Sequence, residues 1–194
     1  MPISRLRDFV TDFTALIDQG PKEPRVIADG GALLKDLVRH DDWLPDVFAE
    51  ASEERYQQYL LHCDPAQRFS VVSFVWGPAQ KTPVHEHRTW GLIGMLRNAE
   101  FSQPFVLDAG KPVACGNAHR LEPGDLDVVS PDVGDIHRVS NVFEDRASIS
   151  IHVYGANISA IRRFRYDRDG NPHDFMSSYG NETTPNLWDL AVNP

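Results

Sequence analysis

Residues 69–87 read FSVVSFVWGPAQKTPVHEH, and this stretch decides the fold. Phe69 to Trp76 is a β-branched and aromatic run closed by Gly77-Pro78, which reads as a strand. His85 and His87 follow in a second strand-like run. Alternate strand residues share a face, so both imidazoles can point the same way. Downstream, strand-like runs cover 84–87, 90–96, 99–107, 118–122, 125–130, 136–142, 147–154 and 161–166. Turn sequences part them: Asp108-Ala109-Gly110, Glu122-Pro123-Gly124-Asp125, Pro131-Asp132-Val133-Gly134 and Glu144-Asp145. Many short strands at regular spacing imply a sandwich or barrel.

Upstream the pattern changes period. Ile3, Leu6, Phe9, Val10, Phe13, Leu16 and Ile17 recur at three- and four-residue steps, one apolar stripe of a helix that Gly20-Pro21 stops. Further helices are expected around Val26 to Val38 and around Leu44 to Leu61. The whole, 1–194, reads as one domain: a helical layer over 1–65, a β-barrel over 66–166 and an irregular tail over 167–194. Trp188 and Leu190 are placed to pin that tail to the body.

The net charge of −9, without basic runs, argues against nucleic acid or an anionic membrane surface as partner. It also means that an anionic substrate needs a local arginine. No run approaches the ~18 apolar residues that span a bilayer, and no signal-peptide pattern opens the chain. Two cysteines, Cys63 and Cys115, without a CxxC, suit a reducing cytoplasm and exclude a thiolate zinc site. Nothing in the sequence sets the oligomeric state.

The chemistry lies in the histidines. An HxH pair alone reads equally as two strand histidines, one buried and one solvated. Here His137, 50 residues beyond His87, adds a third imidazole behind the turn Pro131 to Gly134. Three neutral nitrogens on one face of a metal leave other positions open for substrate and O2, although imidazole suits Zn, Cu, Fe and Ni alike. Glu86, between the first two, is expected on the opposite face. Ser150, His152 and Tyr154 alternate along S-I-H-V-Y, and the intervening Ile149, Ile151 and Val153 supply an apolar face. If that apolar face lies outside the barrel, the polar side points inward.

Gly124, Pro131, Gly134, His137 and Asn141 resemble the second cupin motif, and the Gly77 to His87 segment resembles the first. Cupins commonly place a glutamate ligand four residues after the HxH pair; Gly91 stands there instead. With the Ser150-His152-Tyr154 triad, the chain from about Tyr56 to Tyr166 resembles the thiol dioxygenases, the cysteine dioxygenase family. The resemblance implies a mainly β, cupin (jelly-roll) β-barrel with an N-terminal layer of α-helices. It implies one Fe(II) per chain on His85, His87 and His137, and O2 added to the sulfur of a small thiol carboxylate.

By the same resemblance Tyr154 reaches the substrate side, His152 hydrogen-bonds its phenol, and Ser150 fixes His152. Animal-type enzymes crosslink the tyrosine to a cysteine at the position of Gly91, so no crosslink is expected here. They also hold the substrate carboxylate with an arginine where this chain has Gln58, in Tyr56-Gln57-Gln58-Tyr59. That glutamine resembles the bacterial 3-mercaptopropionate dioxygenases, whose substrate arginine, nine residues past the tyrosine, corresponds to Arg163. Arg162, Arg163 and Arg165 are read alternatively as a solvated basic strand end. The expected reaction is 3-mercaptopropionate to 3-sulfinopropionate, with L-cysteine to cysteine sulfinate as the alternative. A zinc or nickel cupin isomerase or dioxygenase and a non-catalytic cupin module are the remaining readings.

Overall fold

The computed structural model describes residues 3–189. Helix α1 (Ser4–Asp18) turns Leu6, Phe9, Val10, Phe13 and Leu16 inward, the stripe legible in its sequence. A short α2 (Glu23–Arg25) passes through one π turn (Val26–Gly30) into α3 (Gly31–Val38). These helices cover one face of an antiparallel sheet made of β1 (Gln57–Cys63), β2 (Ser70–Trp76), β4 (Gly91–Arg97), β8 (Leu126–Val129) and β10 (Ser148–Tyr154). Its strand order is β1-β2-β10-β4-β8. The second sheet runs β12 (Pro172–Phe175), β11 (Arg163–Tyr166), β3 (Val84–His85), β9 (Ile136–Asn141), β5 (Glu100–Asp108), β6 (Lys111–Ala114), with β7 (His119–Leu121) also paired to β5.

The first sheet is buried on both faces, and its side chains divide by parity. Val71, Val75, Leu92, Leu96, Ile149, Ile151 and Val153 join Leu6, Phe13, Leu34 and Trp43 in the core beneath the helices. Val72, Phe74, Trp76 and Tyr154 project the other way and meet Val139 of the second sheet. Each fully buried Leu, Ile or Phe on these faces contributes about 1.5–3 kcal/mol. Helix α3 lies close because Gly94 on β4 has no side chain: a Cβ there would stand 2.9 Å from both Leu34 and Val38. The expected mainly β barrel with N-terminal helices is therefore present.

Three local expectations fail. The helix expected over Leu44 to Leu61 is a single 3-10 turn (Asp46–Phe48) followed by β1. Pro45 starts that turn, and residues 57–63 take strand form because β2 offers them a ladder from Gln57↔Val75 to Cys63↔Ser70, interrupted by one register shift between Leu60 and His62. A short apolar run is ambiguous until its partner is known. The tail beyond 167 is not wholly irregular, since β12 pairs with β11. Nor does Trp188 anchor it: that ring is 67% exposed and Leu187 is the buried residue, while Leu190 lies outside the described residues. Cys115 is exposed and Cys63 half-buried. Among the described residues no helix is long and apolar enough to cross a membrane.

Candidate functional site

Between the sheets, His85, His87 and His137 converge. Strand pairing sets two of them face to face, with His85 directly opposite His137 across β3–β9. His87 lies just past β3, where Arg88 takes a left-handed backbone (φ 58°) that ends the strand. The ring centroids stand 4.8, 4.9 and 4.9 Å apart, and one nitrogen from each ring lies within 4.8 Å of the other two.

The Nδ1 atoms identify the inward nitrogens. His85 Nδ1 sits 3.1 Å from the Pro83 carbonyl, His87 Nδ1 3.1 Å from the Asp135 carbonyl, and His137 Nδ1 3.3 Å from Ser102 Oγ. Each outer nitrogen therefore has a partner, and the Nε2 atoms face one another. His87 Nε2 is buried with no hydrogen-bond partner at all. Burial, with His87 alongside, pushes His85 down to about 3 and holds His137 well below the usual histidine range. Three imidazoles whose Nε2 atoms converge fit a divalent transition metal.

Asp135, which sequence reasoning missed, is the strut of this arrangement. Its Oδ1 accepts the His87 backbone N–H at 2.9 Å and lies 3.2 Å from His87 Nδ1, and its Oδ2 accepts the Arg88 N–H at 2.9 Å. Burial alone would raise this carboxyl, but the hydrogen bonds from His87 and Arg88 outweigh it and hold it below its usual value. The signal was its place two residues before His137. Glu86 points away from the three rings, accepting from Arg88 Nε, the Phe164 N–H and, at 3.5 Å, the Tyr166 hydroxyl.

On β10, Ser150 Oγ lies 2.9 Å from His152 Nε2, and His152 Nδ1 lies 2.8 Å from Tyr154 Oη. Phe74 stacks on His152 at 4.0 Å, and the Tyr154 ring stacks beside His87 at 5.7 Å. Trp76 Nε1 donates to Ser150 Oγ at 3.3 Å. All three polar residues are at most 2% exposed. Burial holds His152 well below the usual histidine range and pushes the Tyr154 phenol far up, so both are neutral.

A cavity of about 190 Å³ opens on the group, lined among others by Gln58, Trp76, His85, His152, Tyr154 and Arg163. This is the space of about six liquid waters, enough for a very small substrate. Arg163 is 4% exposed, and Phe175 lies 4.6 Å from its guanidinium. Its Nη2 donates to Ser177 Oγ at 2.6 Å, its Nε has no partner, and among the described residues no carboxylate pairs with it. Arg162 is instead exposed and pairs with Asp174. Gln58 reaches the cavity from β1, and its carbonyl accepts the Gly180 N–H at 2.7 Å. The Asn181 amide grips the Leu60 backbone on both sides, so the segment carrying Phe175 and Ser177 is tied across the mouth. Sequence reasoning missed Ser102, which meets His137 across the β5–β9 pairing, and Phe175 and Ser177, whose roles exist only through this folding-over of the tail.

No protein-family model matches the chain. It is 24% identical over 161 residues to cysteine dioxygenase type 1 of Danio rerio, covering 78% of this chain and 76% of that one. Among solved structures it is similar to a conserved double-stranded β-helix protein from Klebsiella pneumoniae (15% identity, TM-score 0.47, 69% of this chain and 93% of that one). A cupin 2 domain-containing protein from Halorhodospira halophila is also similar (18% identity, TM-score 0.46, 62% and 77%).

Proposed function

We propose that the chain is a non-haem Fe(II) thiol dioxygenase, which adds both atoms of O2 to the sulfur of a small thiol carboxylic acid to give a sulfinic acid. One observation carries this reading: three imidazoles converge beside a buried phenol, at a small cavity that also holds a buried guanidinium with no carboxylate partner among the described residues. The 24% identity to a cysteine dioxygenase supports the same chemistry.

The orphaned Nε2 of His87 and the outward hydrogen bonds of all three Nδ1 atoms fit a resident ion, one per chain, held by His85, His87 and His137. Fe(II) bound there supplies a site for thiolate and for O2, and lowers the thiol pKa. The protein's own groups do the rest. Arg163 draws the substrate carboxylate to the cavity wall, since a buried cation without a counter-ion is costly until an anion meets it. Its planar fork suits a carboxylate. Tyr154, neutral and oriented by His152, offers a hydrogen bond to the reacting end of the substrate. Phe74, Trp76 and Phe175 wall the cavity and restrict water. The overall balance is RSH plus O2 to RSO2H.

The favoured substrate is 3-mercaptopropionate, giving 3-sulfinopropionate. Arg163 is the cavity's buried cation, and Gln58 stands on the wall where animal-type enzymes carry an arginine. L-Cysteine to cysteine sulfinate is the second reading, favoured by the identity of the Danio rerio relative. Its two cysteines are both free thiols, which suits an enzyme of the reducing cytoplasm. The test is anaerobic Fe(II) loading, then O2 uptake with 3-mercaptopropionate, L-cysteine and 2-mercaptoethylamine, with sulfinate measured as product. The expected order is 3-mercaptopropionate over cysteine. No uptake with any thiol by stoichiometrically loaded protein rejects the reading, and a preference for cysteine rejects the substrate choice.

A further inference from the structure

Glu100 is a charge-bearing residue where no charge is expected. It lies on β5, is 0% exposed, and meets β10, the strand of Ser150, His152 and Tyr154, at Ser148. Its Oε1 accepts the Ser148 hydroxyl at 3.2 Å, while its Oε2 is sealed from water without any partner. Ser148 and Ser150 alternate on β10 and so present their hydroxyls to the same side, and among the described residues no cation pairs with this carboxyl. Its cross-strand neighbours are Leu121 on β7 and Asn141 on β9. The Asn141 amide is spent on the carbonyls of Trp76, Gly77 and Arg146. Trp76 on β2 pairs with Ser148 and donates to Ser150 Oγ, and none of the neighbours named here titrates.

We propose that Glu100 is the fourth member of this chain, a buried carboxylic acid that sets the direction of the Ser150 hydroxyl and, through it, the tautomer of His152 and the hydrogen of Tyr154. The role is one of positioning, and its catalytic consequence rests on the reading given under Proposed function.

The argument follows the hydrogens. An isolated carboxylate in a dry pocket without a cation takes up a proton rather than pay desolvation, and burial raises this carboxyl to about 8. As an acid it is a donor whose Oε2 has no other partner, and Ser150 is the next hydroxyl after Ser148 along the same face of β10. Ser150 Oγ already accepts from Trp76 Nε1, so with a second donor its own hydrogen is directed at His152 Nε2. A neutral His152 then carries its hydrogen on Nδ1 and gives it to Tyr154 Oη, which leaves the phenol hydrogen free to point into the cavity. Ionised Glu100 reverses every step. Ser150 turns to the carboxylate, Nε2 becomes the donor, and Nδ1 captures the phenol hydrogen. The protonation of one remote carboxyl thus decides whether Tyr154 is a donor toward the substrate.

The first measurement needs no substitution and no activity. The protein is labelled with ¹³C-glutamate, and its infrared spectrum is followed from about pH 6 to 10 for the carbonyl stretch of a protonated acid. Zinc-loaded protein, which is diamagnetic, gives the His152 tautomer by ¹⁵N NMR over the same range. The expected result is an acid band at neutral pH that disappears near pH 8, together with movement of the His152 hydrogen from Nδ1 to Nε2. Glu100→Gln removes both changes, and flattens the alkaline limb of kcat/KM in the iron-loaded enzyme. Absence of the band at neutral pH, or a tautomer and alkaline limb unchanged by Glu100→Gln, overturns the proposal. Failure to oxidise any thiol rejects the dioxygenase reading alone, because the band and the tautomer still report on Glu100.

Discussion

Gly91 and Tyr154 stand directly opposite each other across the β4–β10 ladder, and a Cβ at position 91 would lie 2.9 Å from the Tyr154 ring and 2.8 Å from Val129. The glycine is thus part of how the phenol is seated. Neither neighbour is the end of a flexible chain, so the cost must be met by shifting the ring. Gly91→Ala is expected to lose about 1–3 kcal/mol of stability. It should also lower kcat/KM while metal content stays near one per chain. Thermal unfolding with metal analysis checks this, and a variant with unchanged Tm and turnover would remove Gly91 from the account.

Among the described residues the Tyr154 hydroxyl has one hydrogen-bond partner, His152 Nδ1 at 2.8 Å. If its hydrogen serves the substrate, Tyr154→Phe forfeits a charge-assisted hydrogen bond of about 1.5–3 kcal/mol, or roughly ten- to hundredfold in kcat/KM. Iron stoichiometry should be unaffected, because the phenol is not one of the three converging ligands. Loss of iron in this variant would show that Tyr154 belongs to the metal site itself.

Asp135 holds His87 by its backbone and its ring together. Groups that orient a metal-binding histidine are worth about 10–100-fold in metal affinity. Asp135→Asn should therefore weaken Zn²⁺ binding by about that factor in a competition titration against a chelator, with the fold retained by circular dichroism. Unchanged affinity would mean that His87 is held by packing alone.

Away from the site, Asp64 and Arg68 offer a test of the fold. Asp64 Oδ1 accepts Arg68 Nη2 at 2.7 Å and Oδ2 accepts Arg68 Nε at 3.0 Å. These bonds, outweighing burial, lower the Asp64 carboxyl to about 2. A carboxyl depressed on folding contributes stability above its unfolded value near 3.9 and loses it as pH falls through the folded value. Arg68 is 38% exposed, so the contribution is about 1–2 kcal/mol after screening. Asp64→Asn should lower Tm at pH 7, and the gap from the unsubstituted protein should close between about pH 4 and 2. A gap that does not change with pH would reject the linkage.

The alternating strands and the α1 stripe were legible because parity and helical period are local properties of the chain. The convergence of His85, His87 and His137 was legible for the same reason, as a pair on one strand plus a distant third. What escaped were residues whose role needs a partner far off in sequence. Residues 57–63 became a strand because β2 lay beside them. Ser177 reaches Arg163 because β12 folds the tail back along β11. Glu100 was read as a member of an ordinary strand, and nothing local signals that Ser148 of the other sheet meets its carboxyl.

Arg163 provides the sharpest test of substrate class. Its guanidinium is 4% exposed, its Nη2 is fixed by Ser177 Oγ at 2.6 Å, and its Nε is left without a partner. Burial pushes its pKa down, opposed by the Tyr154 and Tyr56 phenols, which is the environment of a cation waiting for an anion. A carboxylate entering the cavity gains a charged hydrogen bond of about 1.5–3 kcal/mol. Arg163→Gln removes the charge but keeps a polar chain of similar reach. It should raise KM for 3-mercaptopropionate by about ten- to hundredfold while leaving 2-mercaptoethylamine, which has no carboxylate, little changed. If both thiols lose equally, the arginine acts on the site as a whole and not on the substrate's acid end; if neither does, the carboxylate is held elsewhere, with Gln58 the next group to substitute.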